Sequence, residues 1–548
     1  MDRLSGLPKT ILHDILARLP DKDAAKTIAL SKAWRDTWSS FPNLSVCSGD
    51  FFTTHEVPLG NDYSFSKQDI LIEYVTKRLM RLRDQGLAIK EFKLDFTNLL
   101  GPTRCSHLVD RWIQMACESG VKVLELRQCG GYTGSKYSED DWYDLPLCVI
   151  EAKSLTKLKL AGGIRIGQEF LNHSMKFPLV KMLSFARVIF THEGIIEHLI
   201  SHCPLIEHLT MEFCSVYNHL SIEDPLVQRS CRVKSLFLNG LQKLKEVNLI
   251  GIEEVHVDSP NLENLCYRPL HFDAPCKLNF DSCINLRRLF LLYLESTAIA
   301  DKWFLELFSN FPFLESLKLG FCTMSERINI SSVQLKVLEL YHCSNLKEVN
   351  IDAPNLLSFD YANYDEPVIS FLRVSNQLEV SVSTILDFRR RFSLGKFIQN
   401  IPQKILASLS LVVSVLFLGN AYQPALQVSS TPPSIKHLEL KVHSVPNNEA
   451  VFGPLMNCLL SSCFPKTISF RYDILNAFIE FFYEMLMGSK KGECHCSSCN
   501  RKCWWHALKI VKISCSFMTD DENTDFKAML DASPKSYEGK SITFSLEM

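Results

Sequence analysis

Between Gly492 and His506 the chain reads GECHCSSCNRKCWWH, four cysteines and two histidines in one short stretch. Thiolate and imidazole are the ligands zinc prefers, and Cys496-x-x-Cys499 has the spacing of a zinc knuckle. Cys503 and His506 would complete a tetrahedral set. Three features weigh against that reading. The second ligand pair follows so soon that the loop between the pairs is very tight. The chain holds 20 cysteines, most of which need only packing roles. And Cys503, Trp504 and His506 lead directly into an alternating apolar phrase that reads as a strand. The expectation is a loop and strand entrance with no bound cofactor, zinc being the alternative.

No other stretch carries a chemical signature. There is no phosphate-cradling glycine loop, no G-x-S-x-G elbow and no H-E-x-x-H helix. The 16 histidines are scattered, several in turns such as His198, His202, His208 and His342. Arg389-Arg390-Arg391 reads as a solvated turn rather than a targeting signal. A non-catalytic protein is expected.

The elements that surround these residues set the remaining bounds. A chain of 548 residues exceeds one ordinary core, so several domains or a repeat array are implied. Lysine plus arginine number 59 and aspartate plus glutamate 61, leaving no basic excess for a phosphate backbone, so nucleic acid is not an expected partner. The first residues, MDRLSGLPKTILHDILARLPDKD, contain no apolar run of signal-peptide length. The most apolar stretch, Ile405 to Gly419, falls short of the roughly 18–20 residues that span a bilayer and is expected to form buried strands. Reduced thiols and a cytoplasmic or nuclear location, with no membrane partner, follow.

The N-terminal residues read as a small helical unit. Pro8 suits a helix start. Ile11, Leu12, Ile15, Leu16 and Leu19 then share one face, and Pro20 closes the helix. Asp21 or Asp23 can cap a second helix, and Ser31 a third carrying Trp34 and Trp38 one turn apart. About 45 residues is near the lower limit for independent stability. By periodicity alone, a cap on the downstream chain and a partner-binding module are equally supported. Leu7-Pro8, Ile11-Leu12, Ile15-Leu16, Leu19-Pro20, Leu30-Ser31 and Trp34-Arg35 with Trp38 resemble an F-box in its plant form. Lys9 departs from the acidic residue usual there, at a position expected to be exposed. The resemblance implies docking on a Skp-type adaptor, and through it on a cullin ubiquitin ligase. The contact surface it implies comprises Leu7, Pro8, Leu12, Ile15, Leu16, Leu19, Pro20, Leu30 and Trp34.

Further on, Ser66 is expected to cap a helix with a stripe of Ile70, Leu71, Tyr74, Val75, Leu79 and Leu82, stopped at Gly86. Strand-like phrases then recur at Leu124, Leu158, Leu183, Leu209, Leu236, Leu317, Leu338 and Leu357. Most spacings from Leu158 onward are roughly 19–28 residues, the range and pattern of leucine-rich repeats. Alternate positions should point into a shared core. Cys129, Cys214, Cys322 and Cys343 fall at the turn position and are read as structural. The outward positions Glu125, Lys159, Thr210, Lys318 and Glu339 would belong to an extended recognition surface, each alone being an ordinary solvated side chain. The repeats are hard to trace around Val255 and between Val380 and Leu438.

From about Ser434 the texture changes to a last repeat strand, an amphipathic helix with Ile474, Phe478, Phe481, Phe482 and Leu486, and two further strands. This order, and CWWHALKIVKI within it, resembles the FBD-type domain that closes many plant F-box leucine-rich-repeat proteins. The expected fold is α+β and multidomain. It comprises a three-helix F-box (1–47), a linker and helix (48–88), an irregular α/β leucine-rich-repeat solenoid (89–433), and a small α+β FBD-like domain (434–548). The expected function is that of a substrate-recognition adaptor of an SCF-type ligase holding a target protein. The alternative is a ligase-independent binding scaffold.

Overall fold

The computed structural model describes residues 6–19, 21–47, 63–97, 102–128, 142–173, 177–217, 230–269, 277–293, 298–363, 367–387, 409–416, 434–440, 464–471, 479–484, 510–515 and 541–547. The chain divides into two compact units, Met1–Leu286 and Arg287–Met548. The division falls inside the stretch whose sequence reads as one repeat array.

The first unit opens with α1 (Lys9–Ala17), α2 (Asp21–Lys26) and α3 (Lys32–Ser39). Pro8 is the N-cap of α1, one residue before the first turn. Ser31 caps α3, its Oγ accepting from the Trp34 N–H at 3.3 Å. Leu12, Leu16, Ala24, Trp34 and Phe41 form a small core, with Leu7, Ile15, Leu19 and Trp38 packed at its margin. Then α4 (Tyr63–Asp84) buries Leu71, Val75, Leu79 and Leu82 completely. Ser66 lies inside α4 rather than capping it, and Ile70, expected in the stripe, is exposed on the opposite side. Gly86 ends the helix with φ +63°, the left-handed closure that glycine adopts without steric cost. The Trp112 indole N–H in α5 (Pro102–Glu118) donates to Thr76 Oγ1 at 3.0 Å, tying α4 to α5.

Eight parallel strands make the main sheet of the first unit. In spatial order they are Asn43–Cys47, Glu91–Asp95, Val123–Gln128, Lys157–Gly162, Met182–Ala186, His208–Glu212, Glu246–Ile250 and Asn264–Arg268. The chain placed in the F-box by sequence thus supplies, at residues 43–47, the first strand of the repeat sheet. Two side sheets, rather than helices alone, line the other face of the repeats. Leu236 belongs to one of them: Ser235–Asn239 pairs with Glu254–Asp258, and the main-sheet strand of that repeat is Glu246–Ile250. This explains why the register is lost around Val255. Both kinds of strand alternate apolar and polar residues, so alternation alone does not tell them apart.

The second unit repeats the plan. Arg288–Leu292, Ser316–Gly320, Val337–Tyr341, Ser358–Asn363, Glu379–Asp387, Leu409–Leu416, Ser434–Leu440 and Phe464–Arg471 run parallel in that order. Leu357, expected to start a strand core, is exposed just outside it, and Phe359 and Tyr361 fill the inward positions instead. The apolar stretch near Ile405 forms the strand Leu409–Leu416, and no helix among the described residues is long and apolar enough to cross a membrane. Ser541–Glu547 and Ile510–Cys515 then add antiparallel to the sheet end. Phe470, Phe482 and Phe544 close that end as a triangle of rings with centroids 5.0–5.5 Å apart. Ile474, Phe478 and Leu486 lie outside the described residues.

The repeat turns have a common construction. The Cys214 thiol donates to Phe185 O at 3.4 Å and Cys343 to Leu319 O at 3.7 Å, both in the preceding repeat. Cys322, also buried, donates to Gly320 O at 3.2 Å. Cys129 lies outside the described residues. Asparagines in the outer turns act likewise: Asn261 donates to Gln242 O, Asn285 to Pro260 O and Asn355 to Val333 O, at 2.8–2.9 Å. The residue just after the main strand is left-handed in six repeats: Arg187, Phe213, Gly251, Tyr293, Phe321 and His342, with φ between +51° and +87°. In each the N–H donates to a carbonyl at or next to the end of the next strand, as from Phe321 to Tyr341 O at 2.9 Å. The left-handed residue turns the chain out of the strand at that point, and five of the six carry a side chain despite the steric cost.

Candidate functional site

The residues implied as an adaptor-binding surface separate into two groups. Leu12, Leu16 and Trp34 are only 1–3% exposed and make the core of the helical unit, so they cannot be touched by a partner while it stays folded. Leu30, 66% exposed, and Pro8 present apolar surface to solvent, as does Ile11. Leu7, Ile15 and Leu19 are half-buried, and Pro20 lies outside the described residues. Lys9 is exposed, as its departure from the family pattern requires.

One residue that sequence reading missed holds this unit in place. Arg78 of α4 is buried, and its guanidinium donates to Trp38 O at 2.6 Å, Ser39 O at 2.8 Å and Phe41 O at 2.9 Å. These are carbonyls at the C-terminal end of α3 and just beyond, where the helix dipole favours a cation. The same group lies 5.2 Å from the Trp38 ring centroid. Burial lowers its pKa to about 10, so it stays charged at neutral pH.

The proposed recognition residues all sit on the face of each sheet opposite the packed core. In the first unit Glu125 lies beside Lys159, and Ser184 separates Lys159 from Thr210 in the same row. Glu125 is engaged by Lys157 Nζ at 2.8 Å. In the second unit Lys318 and Glu339 are opposite one another and form an ion pair at 2.6 Å.

At the N-terminal ends of the strands, charges neutralise each other from repeat to repeat. Glu207 lies between Lys181 at 2.8 Å and Lys245 at 2.9 Å, and Glu315 between Arg287 and Lys336, both at 3.2 Å. Hydrogen bonds from Lys181, then Lys245, hold the Glu207 carboxyl down at about 2, against an ordinary 4.5. A depressed carboxyl stabilises the fold above its unfolded pKa, and that contribution fades as pH falls from about 4.5 toward 2. Titration followed by NMR should find Glu207 still ionised at about pH 4 and protonating only as pH nears 2, and Lys181→Met should move its midpoint upward.

A second feature absent from the sequence reading is an aromatic group on the second unit. Tyr293 stacks on Phe321 with centroids 4.6 Å apart, and Phe321 on His342 at 4.8 Å. Neighbouring strands are spaced at about the distance of stacked rings, so aromatic residues at one turn position in successive repeats meet face to face. The signal was present in LKLGFC and LELYHC, in the residue before the cysteine.

Among the described residues no group of three or more His, Cys, Asp or Glu side chains could hold a metal ion. Cys496, Cys499, Cys503 and His506 lie outside them.

Comparison with known families fits this architecture. The F-box domain model matches residues 4–45. A model described as the leucine-rich repeats of the FBD-associated F-box protein At5g56370 matches 109–277, and one described as the At1g61320/AtMIF1 leucine-rich-repeat domain matches 268–415. An F-box followed by leucine-rich repeats defines the class of this protein. Within that class it is related to F-box/FBD/LRR-repeat proteins of Arabidopsis thaliana. It is 27% identical to F-box/FBD/LRR-repeat protein At1g13780 over 51% of this chain and 56% of that protein. It is 24% identical to FBD-associated F-box protein At5g27750 over 68% and 75%. The chain spans little more than half the length of several curated relatives it matches.

Proposed function

We propose that this protein is a substrate-recognition subunit of an SCF-type cullin ubiquitin ligase, its F-box docking on a Skp-type adaptor and its repeat sheets holding a target protein. F-box proteins with leucine-rich repeats serve generally as substrate receptors, and the similarity of this chain to such proteins supports the reading. The observation that carries the reading is a helical unit with its own core that leaves Leu30, Ile11 and Pro8 in solvent, fixed to the repeats through Arg78. Apolar side chains left in solvent on a unit that has its own core are available to a partner. The chain contributes proximity, holding the target near transfer machinery that other subunits supply, and has no catalytic part of its own. The antiparallel strands closing the second unit belong, in this reading, to an FBD-like domain, and the protein acts in the cytoplasm or nucleus.

The alternative, a ligase-independent scaffold, makes a different prediction. Cullin should co-precipitate with the wild-type chain and be absent with a Pro8→Ala, Leu30→Asp variant. Proteins bound to the repeats should gain ubiquitin only with the wild type. No cullin with either chain would favour the scaffold, and equal recovery with both would take Pro8 and Leu30 out of the docking surface.

A further inference from the structure

Leu292, Gly320 and Tyr341 lie directly opposite one another on three adjacent strands of the second unit, on the face away from the core. A Cβ on Gly320 would come within 2.2 Å of the Tyr341 ring and 2.5 Å of Leu292 Cδ2. The missing side chain is therefore what lets the tyrosine lie across the strand toward Leu292. From there its ring is 6.0 Å from Phe290 and edge-on to Phe321 at 6.2 Å. Phe321 is itself 38% exposed, in a left-handed conformation a side chain rarely adopts. The result is an apolar floor on a face whose neighbouring positions are charged. The charges are uneven. Glu339 is answered by Lys318, whereas Asp360 and Glu379, on the next two strands, form no ion pair among the described residues. Among the described residues Asp360 accepts a neutral hydrogen bond, from Ser358 Oγ at 3.1 Å.

We propose that this floor is where the target protein docks, through an extended segment that seats an apolar side chain on Tyr341, Phe290 and Phe321 and directs an adjacent lysine or arginine to Asp360 and Glu379. The proposal rests on the receptor reading above and names the chemistry of its target. An aromatic floor supplies the large contact area that dominates binding energy. The two carboxylates select for positive charge and reject an acidic segment.

The test uses the full-length chain and fluorescein-labelled synthetic peptides in which glycine separates leucine from lysine, leucine from glutamate, or serine from lysine. Fluorescence anisotropy should show the leucine–lysine peptide binding most tightly. Tyr341→Ala should weaken it roughly tenfold and Tyr341→Phe should not. Asp360→Asn with Glu379→Gln should erase the preference over the leucine–glutamate peptide. Should Tyr341→Ala fail to fold, Phe321→Gly replaces it, since glycine suits that backbone. Equal binding of the lysine and glutamate peptides, or full affinity in a folded Tyr341→Ala or Phe321→Gly chain, would overturn the proposal. The Pro8→Ala, Leu30→Asp variant should keep wild-type peptide affinity, so failure of the adaptor reading and failure of this one are seen separately.

Discussion

Arg78→Met should destabilise the docking of the F-box by about 3–5 kcal/mol. Methionine keeps most of the side chain's length and apolar body while removing every donor. The carbonyls of Ser39 and Phe41 then lose the guanidinium, the bond to Phe41 O being a buried one, while Trp38 O keeps the Phe41 N–H at 3.2 Å. Each such loss costs about 1–3 kcal/mol, and they share one guanidinium, so they are not simply additive. The cation–π contact with Trp38 goes at the same time. Hydrogen exchange should show α3 losing protection while the strands from Val123 onward keep theirs. Arg78→Lys should recover only part, because an ammonium is a point charge and cannot fork to three acceptors. In the receptor reading this arginine also fixes the F-box to the first repeat strands, so the variant should slow ubiquitin transfer more than it weakens adaptor binding. Unchanged protection in α3 would show that the junction is held by other contacts.

Trp34→Ala should unfold the F-box itself, at a cost of about 3–5 kcal/mol. The indole is 3% exposed among Leu12, Leu16, Ala24 and Phe41, with the partly buried Leu7, Ile15, Leu19 and Trp38 packed around them. So small a core has little stability in reserve. Adaptor binding should be lost together with the fold of α1 and α3. That outcome differs from the expected behaviour of Leu30→Asp, which removes exposed apolar surface and leaves the core intact. A Trp34→Ala chain that keeps exchange protection in α1 and loses only adaptor binding would return Trp34 to the contact surface.

The contrast between those two residues shows where sequence reading reached its limit. Spacings of three and four identified the apolar positions of α1 and the cap at Ser31. They did not say which apolar residues turn inward, because Leu16 and Leu30 are chemically alike and only the packing of three short helices separates them. Most of the strand phrases were legible for the same reason that Leu236 was misplaced. Both faces of a repeat are lined by strands, and each alternates. Arg78 sits in KRLMRLRD, where a basic residue reads as solvated, and its partners are backbone carbonyls that no side-chain pattern announces. The aromatic floor was hidden differently. LKLGFC and LELYHC drew attention to their cysteines, while Gly320, Phe321 and Tyr341 beside them acquire meaning only once the strands are set in register.

The most direct test is the affinity of the purified full-length chain for a purified Skp-type adaptor, measured by calorimetry beside its Pro8→Ala, Leu30→Asp variant with thermal unfolding of both recorded. The wild type should bind with one adaptor per chain, and the variant should lose binding at least tenfold with its unfolding midpoint unchanged. No measurable binding by a folded wild-type chain, or equal binding by the two, would contradict the account.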